Sequence, residues 1–297
     1  MSHLVIEHQN QSDIQTGWLF GAIGMVIFGG SLVATRIGVA DFDPIFFTVS
    51  RAVLAALYAG IALLLFNKTK PCNADLLGLL VVAGGVVIGF PLLTAFALQQ
   101  VTASHATVFI GLLPLSTALF GVLRTGDRPK RPFWIWAAIG SAIVVLFALL
   151  QGGSSTLQGD LMMFVAIAIC GLGYAEGARL AKHLGGWQVI GWALLLSLPI
   201  TLPMAFFTAP SSFDGVGGMA WGALFYVSMF SMFVGFLFWY RGLALGGVAA
   251  VGQLQLLQPF VGFVLAALFI GEAVSLPMIG SSLLVVMCVL AGKRAAR

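Results

Sequence analysis

Two stretches of this chain repeat one another at a constant separation. The segment 98-LQQVTASHATVFIGLLPLSTALFGVLRTGDRPKRP-132 is answered by 243-LALGGVAAVGQLQLLQPFVGFVLAALFIGEAVSLP-277, with Pro259 lying 145 residues after Pro114. At that offset Leu98 falls on Leu243, Gly126 on Gly271, Pro132 on Pro277 and acidic Asp127 on acidic Glu272. Each copy is a long apolar run with a proline near its middle, closed by a Gly-acid pair and followed by a second apolar run. A proline inside a hydrophobic helix removes a backbone donor and crowds the carbonyl four residues earlier, here that of Ile110 or Gln255. In lipid such a carbonyl needs a partner in protein or in a water-filled cavity. Pro114 and Pro259 are therefore the candidate helix bends.

The surroundings of the repeat place it in a bilayer. The chain is 60% hydrophobic and 8% charged, against about a quarter charged in a soluble domain. From Gly17 to Gly292 it is apolar in windows long enough to cross a hydrocarbon core of about 30 Å, without the short alternating segments of a β-barrel. The reading is an all-α polytopic membrane protein whose spans are 17–40, 44–66, 75–98, 103–123, 133–150, 159–180, 188–208, 219–241, 249–270 and 274–292. The net charge of +4 does not indicate a nucleic-acid partner, because the basic residues are scattered through connecting loops. Cys72, Cys170 and Cys288 lie far apart and form no metal or redox pair, and no cofactor is expected.

With both ends in the cytosol, the inner connections and the C-terminus carry 12 of the 14 Lys and Arg residues, and the other two, Arg36 and Arg51, fall within spans. The outer connections hold Asp41, Asp43, Asp160, Asp214 and Glu272. This bias follows the positive-inside rule. Residues 1–16 read as a polar cytosolic tail with His3 and His8 solvated, 17–150 as one five-helix repeat, 151–158 as a Gly/Ser-rich link, 159–292 as a second repeat and 293–297 as a basic cytosolic end. Five is odd, so the second repeat enters from the opposite side and the repeats are inverted. Inverted repeats are a transporter architecture, with the substrate near the midplane where they meet.

These residues resemble the EamA family of the drug/metabolite transporter superfamily. The likeness is carried by 44-PIFFTVSRAVLAAL-57, by 97-ALQQVTASHATVFIGLLPLSTALFGVLRTGD-127 and by its copy 242-GLALGGVAAVGQLQLLQPFVGFVLAALFIGE-272. The resemblance implies a ten-helix secondary carrier of small metabolites in the cell membrane, often an exporter of amino acids or drug-like compounds, with a central cavity. Asp127 stands where the family commonly has Glu, and Leu194, the counterpart of Arg51 in the second repeat, carries no charge.

Candidate site residues follow from charge and polarity inside apolar helices. Arg51 lies about 10 Å beyond Pro44 along its helix; it reads as an anion contact, or as a structural pair with backbone carbonyls or Asp41. Glu176 could carry a proton, or pair with Arg179 one turn on. His105 could titrate or be interfacial. Thr107 belongs to a stripe with Ser104, Gly111 and Pro114, and Gln255 and Gln258 to a matching stripe with Val251 and Gly262. Such stripes pack helices closely or line a wet cavity, and the two amides read as substrate contacts. Tyr174, Tyr240 and Trp239 could stack on a substrate or anchor helix ends.

The leading function is an exporter working by alternating access, with small-molecule substrate and lipid as partners and with protons as a coupling ion through Glu176 or His105. An uncoupled facilitator or importer is the nearest alternative. An intramembrane enzyme would need clustered catalytic groups, and the chain has no HExxH or GxSxG motif. No GxxxxGK[ST] loop is present for direct use of ATP.

Overall fold

The computed structural model describes residues 2–66, 69–125, 131–150, 156–246 and 251–296, and every regular element among them is helical. Ten helical units follow one another. We label them α1 (Asp13–Asp41), α2 (Pro44–Leu65), α3 (Asn73–Gln100), α4 (Ala103–Arg124), α5 (Arg131–Leu150), α6 (Leu157–Leu184), α7 (Gly186–Phe207), α8 (Gly218–Gly246), α9 (Leu254–Ile270) and α10 (Leu276–Ala296). Among the described residues seven of them, α1–α4 and α6–α8, are long and apolar enough to cross a membrane, and α9 and α10 contribute shorter apolar stretches. These units match the ten spans expected from sequence to within a few residues. The helix leading into α1 begins at Ser2, not near residue 17. No Gly or Pro interrupts residues 2–16, so nothing there stops the helix from running on. The side chains of His3 and His8, the Gly126–Asp127 pair and the link at 151–155 lie outside the described residues.

Local chemistry sets the helix ends. Asp43 caps α2, accepting from the N–H groups of Ile45 at 2.8 Å and Phe46 at 3.1 Å, with Pro44 in the first turn where its missing donor costs nothing. Thr156 caps α6 through the Gly159 N–H. At the end of α9 the chain turns through Gly271 at φ 63°, a left-handed conformation that glycine adopts without a Cβ penalty. The turn delivers Glu272 to the start of α4, where its two carboxylate oxygens accept from the N–H groups of Ala103 (3.0 Å) and Ser104 (2.8 Å). A carboxylate at a helix N-terminus meets free donors and the positive end of the helix dipole. Glu272 thereby ties the second repeat to the first. We expect Glu272→Ala to destabilise the protein by about 1–2 kcal/mol and Glu272→Gln by less, read as unfolding temperature in detergent.

Packing follows the repeat. α1 lies along α8, α2 along α7, α5 along α10, and α6 along α3 and α4. Both α3 and α8 contain a wider π-helical segment, Ala83–Gly89 in the first and Tyr226–Val234 in the second. These fall at nearly corresponding places in the two repeats. α4 breaks at Gly111–Leu112, just before Pro114, and a tight 3₁₀ turn, Gly252–Leu257, leads into α9 just before Pro259. Each proline thus stands at the start of a fresh helical segment, where the donor it lacks is not missed.

The two interfaces around the centre are built differently. α1 meets α8 through glycines: a Cβ on Gly17 would lie 2.5 Å from the Gly246 nitrogen, and one on Gly242 would lie 2.7 Å from the Gly21 nitrogen. α6 is held to α3 and α4 by polar pairs, Asp160 with His105, Glu176 with Arg124, and His183 with Asp75.

Candidate functional site

α1, α2, α3, α4, α6, α8 and α9 surround a central cavity of about 30 Å³, room for about two water molecules. Each repeat contributes to its wall. Phe28, Ser31, Leu32 and Thr35 come from α1, Arg51 from α2, and Val86, Phe90, Pro91 and Thr94 from α3. Cys170 and Tyr174 come from α6, Ser231, Met232 and Phe236 from α8, and Gln258 from α9. The π segments feed this wall directly, since Val86, Ser231 and Met232 lie within them. An extra residue per turn widens a helix locally and re-aims its side chains, and such bulges are frequent at functional sites.

Most polar groups in the wall are already satisfied. The Ser31 and Ser231 hydroxyls lie 2.7 Å apart, Thr35 donates to the Ser31 carbonyl, and Thr94 donates to the carbonyls of Phe90 and Pro91. Two groups are not. Arg51 is only 5% exposed, yet its Nε has no partner and no described residue forms an ion pair or hydrogen bond with it. Asp41, one of the partners its structural reading allowed, instead accepts from the Gly217 N–H at 2.9 Å. Gln258 donates weakly from Nε2 to the Phe28 carbonyl at 3.3 Å, and its Oε1 is buried without a partner. A buried polar group without a partner costs stability, so these two atoms carry an unmet demand.

Of the residues anticipated from sequence, Arg51, Tyr174 and Gln258 come together on the cavity wall. The others do not reach it. Gln255 is fully buried with both amide atoms unpartnered, and it is not among the residues that line the cavity. Thr107 donates to the Ala103 carbonyl of its own helix and presses its methyl on Gly262, so it packs α4 on α9. Tyr240 is buried against Gly177 and reaches the Gly173 carbonyl at 3.4 Å. His105 is fully buried and bonds Asp160 at 2.7 Å between Phe109 and Phe147. Glu176, also fully buried, has one oxygen 2.7 Å from Arg124 Nε and the other 2.6 Å from Arg179 Nη2. Both of its oxygens are thereby committed to arginines.

Trp239, placed by sequence at a helix end, is fully buried because α8 runs on to Gly246. With Phe28, Tyr174, Phe236 and Tyr240 it forms one linked aromatic layer, ring centroids 4.8–6.0 Å apart. The wall residues Ser31, Thr35, Thr94 and Ser231 were not singled out from sequence. Small hydroxyls inside apolar helices look like packing groups, and only the fold shows which of them face inward.

Comparison with known proteins agrees with this architecture. A profile of the EamA-like transporter family matches residues 15–149 and again 157–291. The chain is 58% identical over 281 residues to the "Uncharacterized transporter YdeK" of Bacillus subtilis (strain 168), covering 95% of this chain and 98% of that protein. An "Uncharacterized transporter" of Archaeoglobus fulgidus is 24% identical over 260 residues, with 84% and 88% covered. A solved structure titled "Crystal structure of protein" superposes with a TM-score of 0.68 over 96% of this chain and 99% of that one, and at 18% identity it speaks for the fold alone.

Proposed function

Because the chain belongs to the EamA-like transporter family, we propose that this multi-pass membrane transporter carries a small metabolite by alternating access, with the cavity between the repeats as its substrate site. The observation that carries this reading is a pair of buried polar atoms without partners, Arg51 Nε and Gln258 Oε1, on a wall to which both repeats contribute. A cavity of about 30 Å³ is too small for a metabolite, so binding requires the repeats to part. Sealed on one side at a time, the same wall would face each side of the bilayer in turn. The concentration of basic residues in alternate connections favours the cell membrane with both termini cytoplasmic.

Export without a coupling ion is the form of the reading that the site favours. Glu176 and His105, the two groups through which protons could couple, are held in pairs away from the cavity. Among the described residues no carboxylate or histidine is on the wall. The test is counterflow of labelled small solutes into proteoliposomes holding the purified protein. Gln258→Ala should weaken apparent substrate affinity by about 3- to 10-fold, the worth of one neutral hydrogen bond. Wild-type affinity in that variant would move the site away from this cavity.

A further inference from the structure

The carrier reading leaves open what is carried, and the charge on the cavity wall narrows it. Arg51 is the one charged side chain among the lining residues. It belongs to α2, is nearly fully buried and has no counter-ion among the described residues. The two acids nearest it in sequence are engaged elsewhere, Asp41 with the Gly217 N–H and Asp43 as the cap of α2. A guanidinium does not give up its proton to escape such a place, and an unpaired charge within a membrane protein is expensive unless something meets it. Its counterpart in the other repeat is the fully buried Leu194. The wall therefore offers a single positive charge.

The rest of the wall describes the remainder of the ligand. Gln258 Oε1 is an acceptor waiting for an O–H or N–H. Phe28, Phe90, Tyr174 and Phe236 supply flat apolar surface. An ammonium group would find no carboxylate to receive it and a fixed cation to repel it.

We propose that the transported solute is an organic monoanion, a carboxylate with an apolar body and one hydroxyl or amide donor, and that it crosses as the charged species. This rests on the carrier reading above. Its anionic group docks on Arg51 and its donor on Gln258. Because no carboxylate or histidine lines the cavity to exchange a proton, each turnover moves one negative charge. An inside-negative membrane potential then drives the solute outward, by roughly 50-fold in concentration for each 100 mV. The potential alone makes the carrier an exporter.

The test uses the full-length protein in proteoliposomes and solutes that share a skeleton but differ in charge: 3-phenyllactate, phenylalanine and phenethylamine, with 2-hydroxyisocaproate and leucine as an aliphatic pair. Valinomycin and potassium gradients set the potential in either direction. The expected result is uptake of the hydroxy acids in preference to their amino counterparts, accelerated by a vesicle interior made positive and slowed by one made negative. Arg51→Gln should lower that uptake at least 100-fold and Arg51→Lys should retain part of it. Arg51→Gln should also unfold at the wild-type temperature or above, because it removes a buried charge that nothing pairs.

Preferred uptake of phenylalanine, leucine or phenethylamine overturns the anion assignment and leaves the carrier. Hydroxy-acid uptake that ignores the potential overturns the electrogenic step. A lowered unfolding temperature in Arg51→Gln assigns the residue to the fold and overturns its role in binding. No uptake of any of the five compounds overturns both this inference and the carrier reading beneath it.

Discussion

Replacing Arg124 and Arg179 together by alanine should destabilise the protein by about 3–5 kcal/mol, the cost of stranding a buried charge, while Glu176→Gln alone should cost only about 1 kcal/mol. The asymmetry comes from exposure. Glu176 is fully buried, whereas the Arg124 and Arg179 side chains are 38% and 39% exposed. Without the carboxylate, the arginines can turn to water. Without the arginines, the carboxylate has nowhere to go, being closed in by Gly78, where even an added Cβ would lie 2.4 Å from its Oε1. Adding Glu176→Gln to the double alanine variant should therefore recover most of the loss, because the stranded charge is gone. Unfolding in detergent would measure all three variants. Solute flux in Glu176→Gln should keep its wild-type dependence on pH, since this carboxylate lies off the cavity wall; a lost pH dependence would restore a proton-carrying role to Glu176.

The same residue shows how far the sequence could be read. The i,i+3 spacing of Glu176 and Arg179 was visible, but the second arginine, Arg124, comes from the far end of α4 and from the other repeat. Pairings of that kind depend on which helices meet. The spans themselves were legible because apolar length is a local property of the chain, and the repeat was legible because two prolines and two Gly-acid pairs recur at a fixed offset. Which face of each span turns inward was not. A helix that is apolar all round has no moment to orient it, so Ser31, Thr35, Thr94 and Ser231 carried no mark of the cavity they line. The π segments were hidden as well, because Ala83–Gly89 and Tyr226–Val234 are ordinary apolar runs by composition. Gln255 and Gln258 share one stripe by helical spacing, yet only Gln258 lines the cavity, and spacing alone does not tell the two apart. Arg51 stands out in the sequence as a charge inside an apolar span, but which of its possible partners it meets depends on the fold, and Asp41, one of them, is engaged with the Gly217 N–H.

The second large effect belongs to the opposite interface, where glycines bring α1 and α8 together. Gly242→Leu should abolish the folded protein, or leave a fraction that unfolds well below the wild type, at a cost above the usual 1–3 kcal/mol of overpacking. A Cβ at Gly242 would lie 2.7 Å from the Gly21 nitrogen and 2.9 Å from the Gly17 carbonyl oxygen, and both are backbone atoms of α1 that cannot swing aside. Between helices in lipid, close packing of small residues is itself a main source of attraction. Parting α1 from α8 forfeits it along the whole contact from Gly17 to Gly246. Gly280→Leu is the control, since a Cβ there meets nothing within 4 Å, and it should shift stability by no more than about 0.5 kcal/mol. Size-exclusion profiles and unfolding temperatures in detergent would separate the two, and a Gly242→Leu protein that behaves as wild type would refute the packing. The milder Gly242→Ala adds one methyl and should lose transport before it loses the fold. α1 brings Phe28, Ser31 and Thr35 to the cavity and α8 brings Ser231, Met232 and Phe236, so a small separation of the pair breaks the 2.7 Å contact between Ser31 and Ser231 and reshapes the wall that faces Arg51.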